Sequence, residues 1–182
     1  MTPESESVVL TRDVIGVLIP AGTKVELPEG AGATITQALG GSYTVMVQGH
    51  LFRIDGRDAD ALGKTPLAAP TLSAEADDAE IEKALWAQLR TCYDPEIPID
   101  IVELGLVYEC RLEPLDNDQR RARVRMTLTA PGCGMGDILV NDVKTKALQV
   151  PRITEADVEL TFDPPWTRDR MSEAAQLQVG FL

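Results

Sequence analysis

Residues 121–136 read Arg121-Ala122-Arg123-Val124-Arg125-Met126-Thr127-Leu128-Thr129-Ala130-Pro131-Gly132-Cys133-Gly134-Met135-Gly136. The first ten alternate. Ala122, Val124, Met126, Leu128 and Ala130 share one face, and Arg121, Arg123, Arg125, Thr127 and Thr129 share the other, which is the period of a strand with one buried side. From residue 137 the period changes. Leu139, Val143, Ala147 and Val150 recur at helical spacing. The six residues between are rich in glycine and turn a strand into a helix. A thiol in that loop, Cys133, is expected to stand among free backbone N–H groups at the positive end of the helix dipole. Such a setting favours thiolate, the form that ligates metal or attacks an electrophile.

The flanking segments extend the pattern. Asp77 with Glu80 three residues later predicts a capped helix start, and Ile81, Leu85, Leu89 and Cys92 continue it at helical spacing. Pro95 and Pro98 then forbid helix. Residues 106–112 alternate, with Leu106, Tyr108, Cys110 and Leu112 on one face, and Asp116-Asn117-Asp118 marks a turn. Val158, Leu160 and Phe162 predict a further strand, and residues 171–179 a short terminal helix. The order is α-β-β-α-β-α, an α+β domain with one small sheet covered by helices.

Upstream, β-rich pieces at residues 14–20, 24–27, 33–37, 43–48 and 51–55 are cut by turn signals such as Pro28-Glu29-Gly30 and Gly40-Gly41. They predict a small all-β N-terminal domain, a barrel or sandwich. Residues 65–73 are rich in Pro and Ala and read as a linker. The expected organisation is therefore 1–64, linker 65–73, and 74–182.

Composition narrows the function. The chain has 182 residues and a net charge of −12. That acidity argues against nucleic acid and against an anionic membrane as partners. The apolar runs are too short to span a bilayer. The polar N-terminus lacks the features of a targeting peptide. Three cysteines without paired spacing point to a reducing compartment, and a cytoplasmic location is expected. His50, the only histidine, falls at a hairpin tip and reads as a surface residue. No phosphate-binding loop of the Walker type and no dinucleotide fingerprint is present, so no nucleotide is expected.

Two local features carry chemistry. Cys133 is the first. Cys92 and Cys110 lie at apolar positions and read as core, and nothing matches CxxC metal spacing. A complete iron–sulfur cluster normally takes four ligands, so any cluster at Cys133 has to be shared. A thiol enzyme needs a base, and no histidine lies near. The second feature is Asp94-Pro95-Glu96-Ile97-Pro98, two carboxylates on a proline-stiffened loop. Turn chemistry alone accounts for it equally well. Thr129 is placed to hydrogen-bond near the thiolate or simply to line the strand.

Together, Tyr93-Asp94-Pro95-Glu96-Ile97-Pro98, Ile101-Val102-Glu103-Leu104-Gly105-Leu106-Val107-Tyr108, residues 127–136 and residues 158–166 resemble the metal–sulfur cluster assembly domain of SufT, PaaD-like proteins and the eukaryotic cytosolic Fe–S targeting factors. The likeness covers about residues 75–182. The N-terminal segment resembles the extra domain of the longer SufT form. The resemblance implies an accessory, non-enzymatic role in Fe–S protein maturation of the SUF type. It carries the family's signature positions to Asp94, Glu96 and Cys133, with Thr129 at the strand end. Where some relatives have a second threonine, this chain has Ala130, so that hydroxyl is missing. Some relatives also carry a nucleotide-binding domain with no counterpart here. Implied cargo is a transient iron–sulfur cluster or iron, with Cys133 as a shared or transient ligand. Implied partners are Fe–S scaffold or carrier proteins and apoprotein clients, with a homodimer left open. A docking adaptor that binds no metal is the alternative, and a thiol enzyme the lesser one.

Overall fold

The computed structural model describes residues 5–94, 97–132 and 134–180. The chain divides into two compact units, Met1–Ala69 and Pro70–Leu182.

In the first unit, β1 (Glu6–Val9), β2 (Val14–Ile19), β3 (Lys24–Leu27), β4 (Gly32–Leu39), β5 (Ser42–Val47) and β6 (His50–Asp55) form one six-stranded sheet in the order β1-β4-β5-β6-β2-β3. Every pairing is antiparallel. The all-β expectation holds, but not as a sandwich, since the described residues of this unit form a single sheet. Inward residues from β2 through β6 (Val14, Leu27, Ile35, Val45 and Ile54) join Leu10 and Leu62 in one apolar cluster. The sheet must curve around that cluster, and the register shift between Ile35 and Gln37 supplies a local bend. Leu62 arrives on a 3-10 segment, Gly56–Leu62, whose entry is capped by the Asp55 side chain. His50 is exposed at the hairpin tip, as its position suggests.

The second unit is α+β. Its elements are α1 (Asp78–Leu89), β7 (Val107–Pro114), β8 (Arg120–Met126), α2 (Gly136–Leu148), β9 (Ile153–Leu160) and α3 (Glu173–Gln178). Asp77 and Glu80 form the complete reciprocal cap that their spacing predicts. Such a cap contributes about 1 kcal/mol. Ile81, Leu85 and Leu89 are wholly buried, each stabilising the fold by roughly 2 kcal/mol relative to exposure. The sheet order is β7-β8-β9, with β7 antiparallel and β9 parallel to β8. A parallel pair needs a crossover, and α2 supplies it. The stripe Leu139, Val143, Ala147 and Val150 packs with α1 and with Ala122, Val124 and Met126 of β8 in a single core.

Three expectations for side-chain placement are corrected. Tyr108 does not continue the inward row of β7, because the register shifts between Val107 and Glu109. Val107 packs on the core instead, and the Tyr108 hydroxyl donates to the Pro164 carbonyl at 2.8 Å. Phe162 lies beyond the end of β9 and is exposed. β8 stops at Met126, so Thr127 is not on an open strand face but completely buried.

The opposite face of this sheet is charged. Arg121 donates to Glu155 at 2.7 Å, and Arg123 lies 3.1 Å from Glu113. Carboxylates on the outer strands neutralise the central arginines.

Candidate functional site

The Asp94 loop is built from its own polar groups. Tyr93 bridges to Asp100, and the Asp94 backbone N–H donates to the Ile99 carbonyl at 3.2 Å. Asp94 Oδ1 accepts the Ile97 N–H at 2.9 Å, the turn that an aspartate ahead of proline initiates. Next, Asp100 Oδ1 accepts the N–H groups of Val102 and Glu103 at 3.0 Å each. These bonds close the two motifs into consecutive turns and sink Ile99, Ile101 and Leu104 into the core. The Asp100 cap is a structural role that the residue types alone did not single out. The signal available was an aspartate two residues before a turn.

Asp94 itself is buried. Its second oxygen, Oδ2, accepts the Thr129 hydroxyl at 3.3 Å. The carboxylate therefore does two jobs: it makes the local turn, and it reaches 35 residues along the chain to the segment that follows β8. Of the four expected site residues, the structure brings Asp94 and Thr129 together. Glu96 and Cys133 lie outside the described residues.

The loop that carries Cys133 is positioned from both ends. On its strand side, the Thr127 N–H donates to the Leu106 carbonyl at 2.9 Å. Leu128 packs so closely on Gly136 that a Cβ there would approach its methyl to 2.9 Å. An alanine there would require the Leu128 methyl to move aside. On the helix side, Met135 precedes α2 and makes no side-chain capping hydrogen bond.

The other thiols behave as the sequence suggests. Cys92 is fully buried. Burial, and secondarily the nearby Glu82 carboxylate, push the Cys110 thiol up to about 12. A raised thiol pKa means protonation at neutral pH, hence low nucleophilicity. Iodoacetamide labelling of the native protein at neutral pH, read by peptide mapping, is expected to modify Cys133 before either of these. Faster labelling of Cys92 or Cys110 would overturn the assignment of Cys133 as the reactive thiol.

Among the described residues, no group of three or more His, Cys, Asp or Glu side chains is placed to hold a metal ion. Asp94 and Thr129 offer hard oxygen donors, whereas cluster iron prefers thiolate. Their chemistry suits holding two loops together better than ligating a cluster.

The comparisons with known proteins bear on this geometry. A family model described as iron–sulfur cluster assembly protein matches residues 82–160, which include both loops and the sheet. An Fe-S protein maturation auxiliary factor from Porphyromonas gingivalis is 40% identical over 103 residues, covering 57% of this chain and 94% of that protein. The chain belongs to the SufT-like family of Fe–S protein maturation auxiliary factors. A second relative, the auxiliary factor SufT of Staphylococcus aureus, is 42% identical over 87 residues, 48% of this SufT-like chain and 94% of the relative. The crystal structure of a domain of unknown function from Bacillus anthracis superposes with a TM-score of 0.51 at 37% identity, over 58% of this chain and 96% of that one. Among the described residues of this SufT-like protein, no helix is long and apolar enough to cross a membrane.

Proposed function

We propose that the chain is a non-enzymatic accessory factor of a SUF-type system in the cytoplasm, and that Cys133 contacts iron or an iron–sulfur cluster in transit. The cluster is cargo here. One loop thiolate cannot complete a four-ligand site, so the remaining ligands come from the donor or recipient protein. Fe–S scaffold or carrier proteins and apoprotein clients are the natural partners. Glu96 adds a second carboxylate to the loop headed by Asp94.

What carries this reading is the 3.3 Å hydrogen bond between Thr129 and Asp94. It ties the acidic loop to the segment after β8, four residues before Cys133 in sequence. On the strength of this bond, we take the acidic loop and the Cys133 loop as one site. The auxiliary role named for the relatives agrees with it, and the absence of a base near Cys133 in sequence disfavours a thiol enzyme.

The deciding experiment is anaerobic reconstitution with iron and sulfide, followed by iron and sulfide counting on the wild-type protein and Cys133→Ser. The wild type is expected to retain iron, and the variant to lose most of it. The same variant, replacing the native copy in cells, is expected to lower the activity of a cluster-dependent enzyme. Equal iron content combined with full activity in cells would favour a docking adaptor that binds no metal.

A further inference from the structure

The open face of the β7-β8-β9 sheet carries a cleft of about 490 Å³, lined chiefly by Tyr108, Glu109, Arg125, Pro164 and Arg170. Its arginines differ from the others on this face. Arg111, Arg121 and Arg123 all pair with carboxylates. Arg125 and Arg170 form no ion pair with any described residue. Glu109 and Glu159 are the cross-strand neighbours of Arg125, yet neither bonds it, and Glu109 turns to Arg111 at 3.3 Å.

Both guanidinium groups are nevertheless held. Arg170 lies over the Tyr108 ring, 4.5 Å from its centroid, and the Tyr108 hydroxyl is anchored on the Pro164 carbonyl. Arg125 Nη2 donates to the Asp163 carbonyl at 3.3 Å. Neutral groups hold the two guanidinium groups and leave them without a direct ion pair among the described residues, with Glu109 as the one carboxylate in the lining, in a chain of net charge −12. Fixed arginine forks suit carboxylates, with less ordering lost on binding.

The occupant can be narrowed further. Tyr108 and Glu109 belong to β7, an edge strand of the sheet, so among the described residues its outer backbone has no strand partner. An extended segment of another protein could pair there while one of its carboxylates enters the cleft. A small anion would use the guanidinium groups alone.

We propose that this cleft docks an extended acidic segment of a partner protein, with an Asp or Glu side chain seated between Arg125 and Arg170. Naming that partner as a donor or recipient of clusters rests on the assembly role above. Arg125 is four residues from Thr129, a span of at most about 14 Å, so a segment docked here lies close to the strand end that leads to Cys133.

The test uses the full chain without iron, so its outcome is separate from that of cluster reconstitution. The probe is a fluorescein-labelled, end-blocked decapeptide alternating Asp and Thr, and the control peptide alternates Asn and Thr. Fluorescence polarisation at low salt is expected to show at least roughly tenfold tighter binding of the Asp peptide. Arg125→Gln and Arg170→Gln should each weaken it about fivefold or more. Arg123→Gln, on the same face but outside the cleft, should change it less than about twofold. Thermal melts should confirm that these exposed substitutions leave the fold intact. Equal binding of the two peptides, indifference to both arginine variants, or displacement of the Asp peptide by millimolar inorganic phosphate would each overturn the proposal. Loss of iron binding in Cys133→Ser with peptide binding intact leaves the cleft assignment standing.

Discussion

Gly105→Ala is expected to destabilise the second unit by about 3 kcal/mol or more. Two costs add. Gly105 has φ +71°, a left-handed conformation that costs an L-residue roughly 1–2 kcal/mol. A Cβ there would also overlap the Arg170 carbonyl oxygen and come within 2.8 Å of its carbon. That neighbour is backbone and cannot rotate away. Shifting it would disturb the segment whose Trp166 Nε1 donates to the Leu104 carbonyl at 2.7 Å and whose Ser172 N–H donates to the Glu103 carbonyl at 2.8 Å. Gly132→Ala is the control, since Gly132 has φ +76° but open space where the Cβ would go. It should cost only about 1 kcal/mol. Both tryptophans, Trp86 and Trp166, lie in the second unit. Tryptophan fluorescence during urea unfolding therefore reports on this unit alone. Equal losses for the two variants would mean that the close approach at Gly105 relaxes freely.

Removing the Asp94–Thr129 link is expected to abolish most of the maturation activity in cells while affecting stability unequally. Asp94→Ala strands the Ile97 N–H and the Thr129 hydroxyl together, so a stability loss of about 2 kcal/mol should accompany the lost function. Thr129→Val keeps the shape and the Ile97 bond. It should cost less than about 1.5 kcal/mol, yet lower the activity of a cluster-dependent enzyme about as far as Cys133→Ser. The measurement replaces the native copy in cells with each variant and assays that enzyme alongside protein abundance. Full activity with Thr129→Val at normal abundance would reduce the hydrogen bond to a packing detail.

Ser172 and Arg90 both bond the Glu103 carboxylate, and together they hold it below the usual carboxylate range. This is the polar counterpart of the Gly105 contact. It fastens the Ile101–Tyr108 motif to the N-terminus of α3, where Ser172 also caps the helix by accepting the Ala175 N–H.

Much of this molecule was legible in the order of its residues. Regular periodicity is a local property, so α1, α2 and the alternating row of β8 could be read from Ile81, Leu85 and Leu89, from Leu139, Val143 and Ala147, and from Ala122, Val124 and Met126. The Asp77–Glu80 cap is local too, spanning three residues. Cys133 is singled out by its flanking glycines as a candidate, and it lies outside the described residues. What failed were expectations that assumed regularity would continue. Tyr108 leaves its row at a register shift, and Thr127 is buried past the end of β8.

Only the tertiary structure decided which distant groups meet. Asp94 and Thr129 are separated by 35 residues, and Tyr108 and Pro164 by 56. No local pattern encodes such pairs, because they form when α1, β7 and β8 pack on one core and the 161–171 segment folds back across the sheet. The same folding places Arg125 and Arg170 on one cleft, and neither forms an ion pair among the described residues, although the chain holds 29 acidic residues and Glu109 lines the cleft too. Sequence determines how each element buries its apolar side. Which polar groups are then forced together, paired or unpaired, follows from close packing in three dimensions.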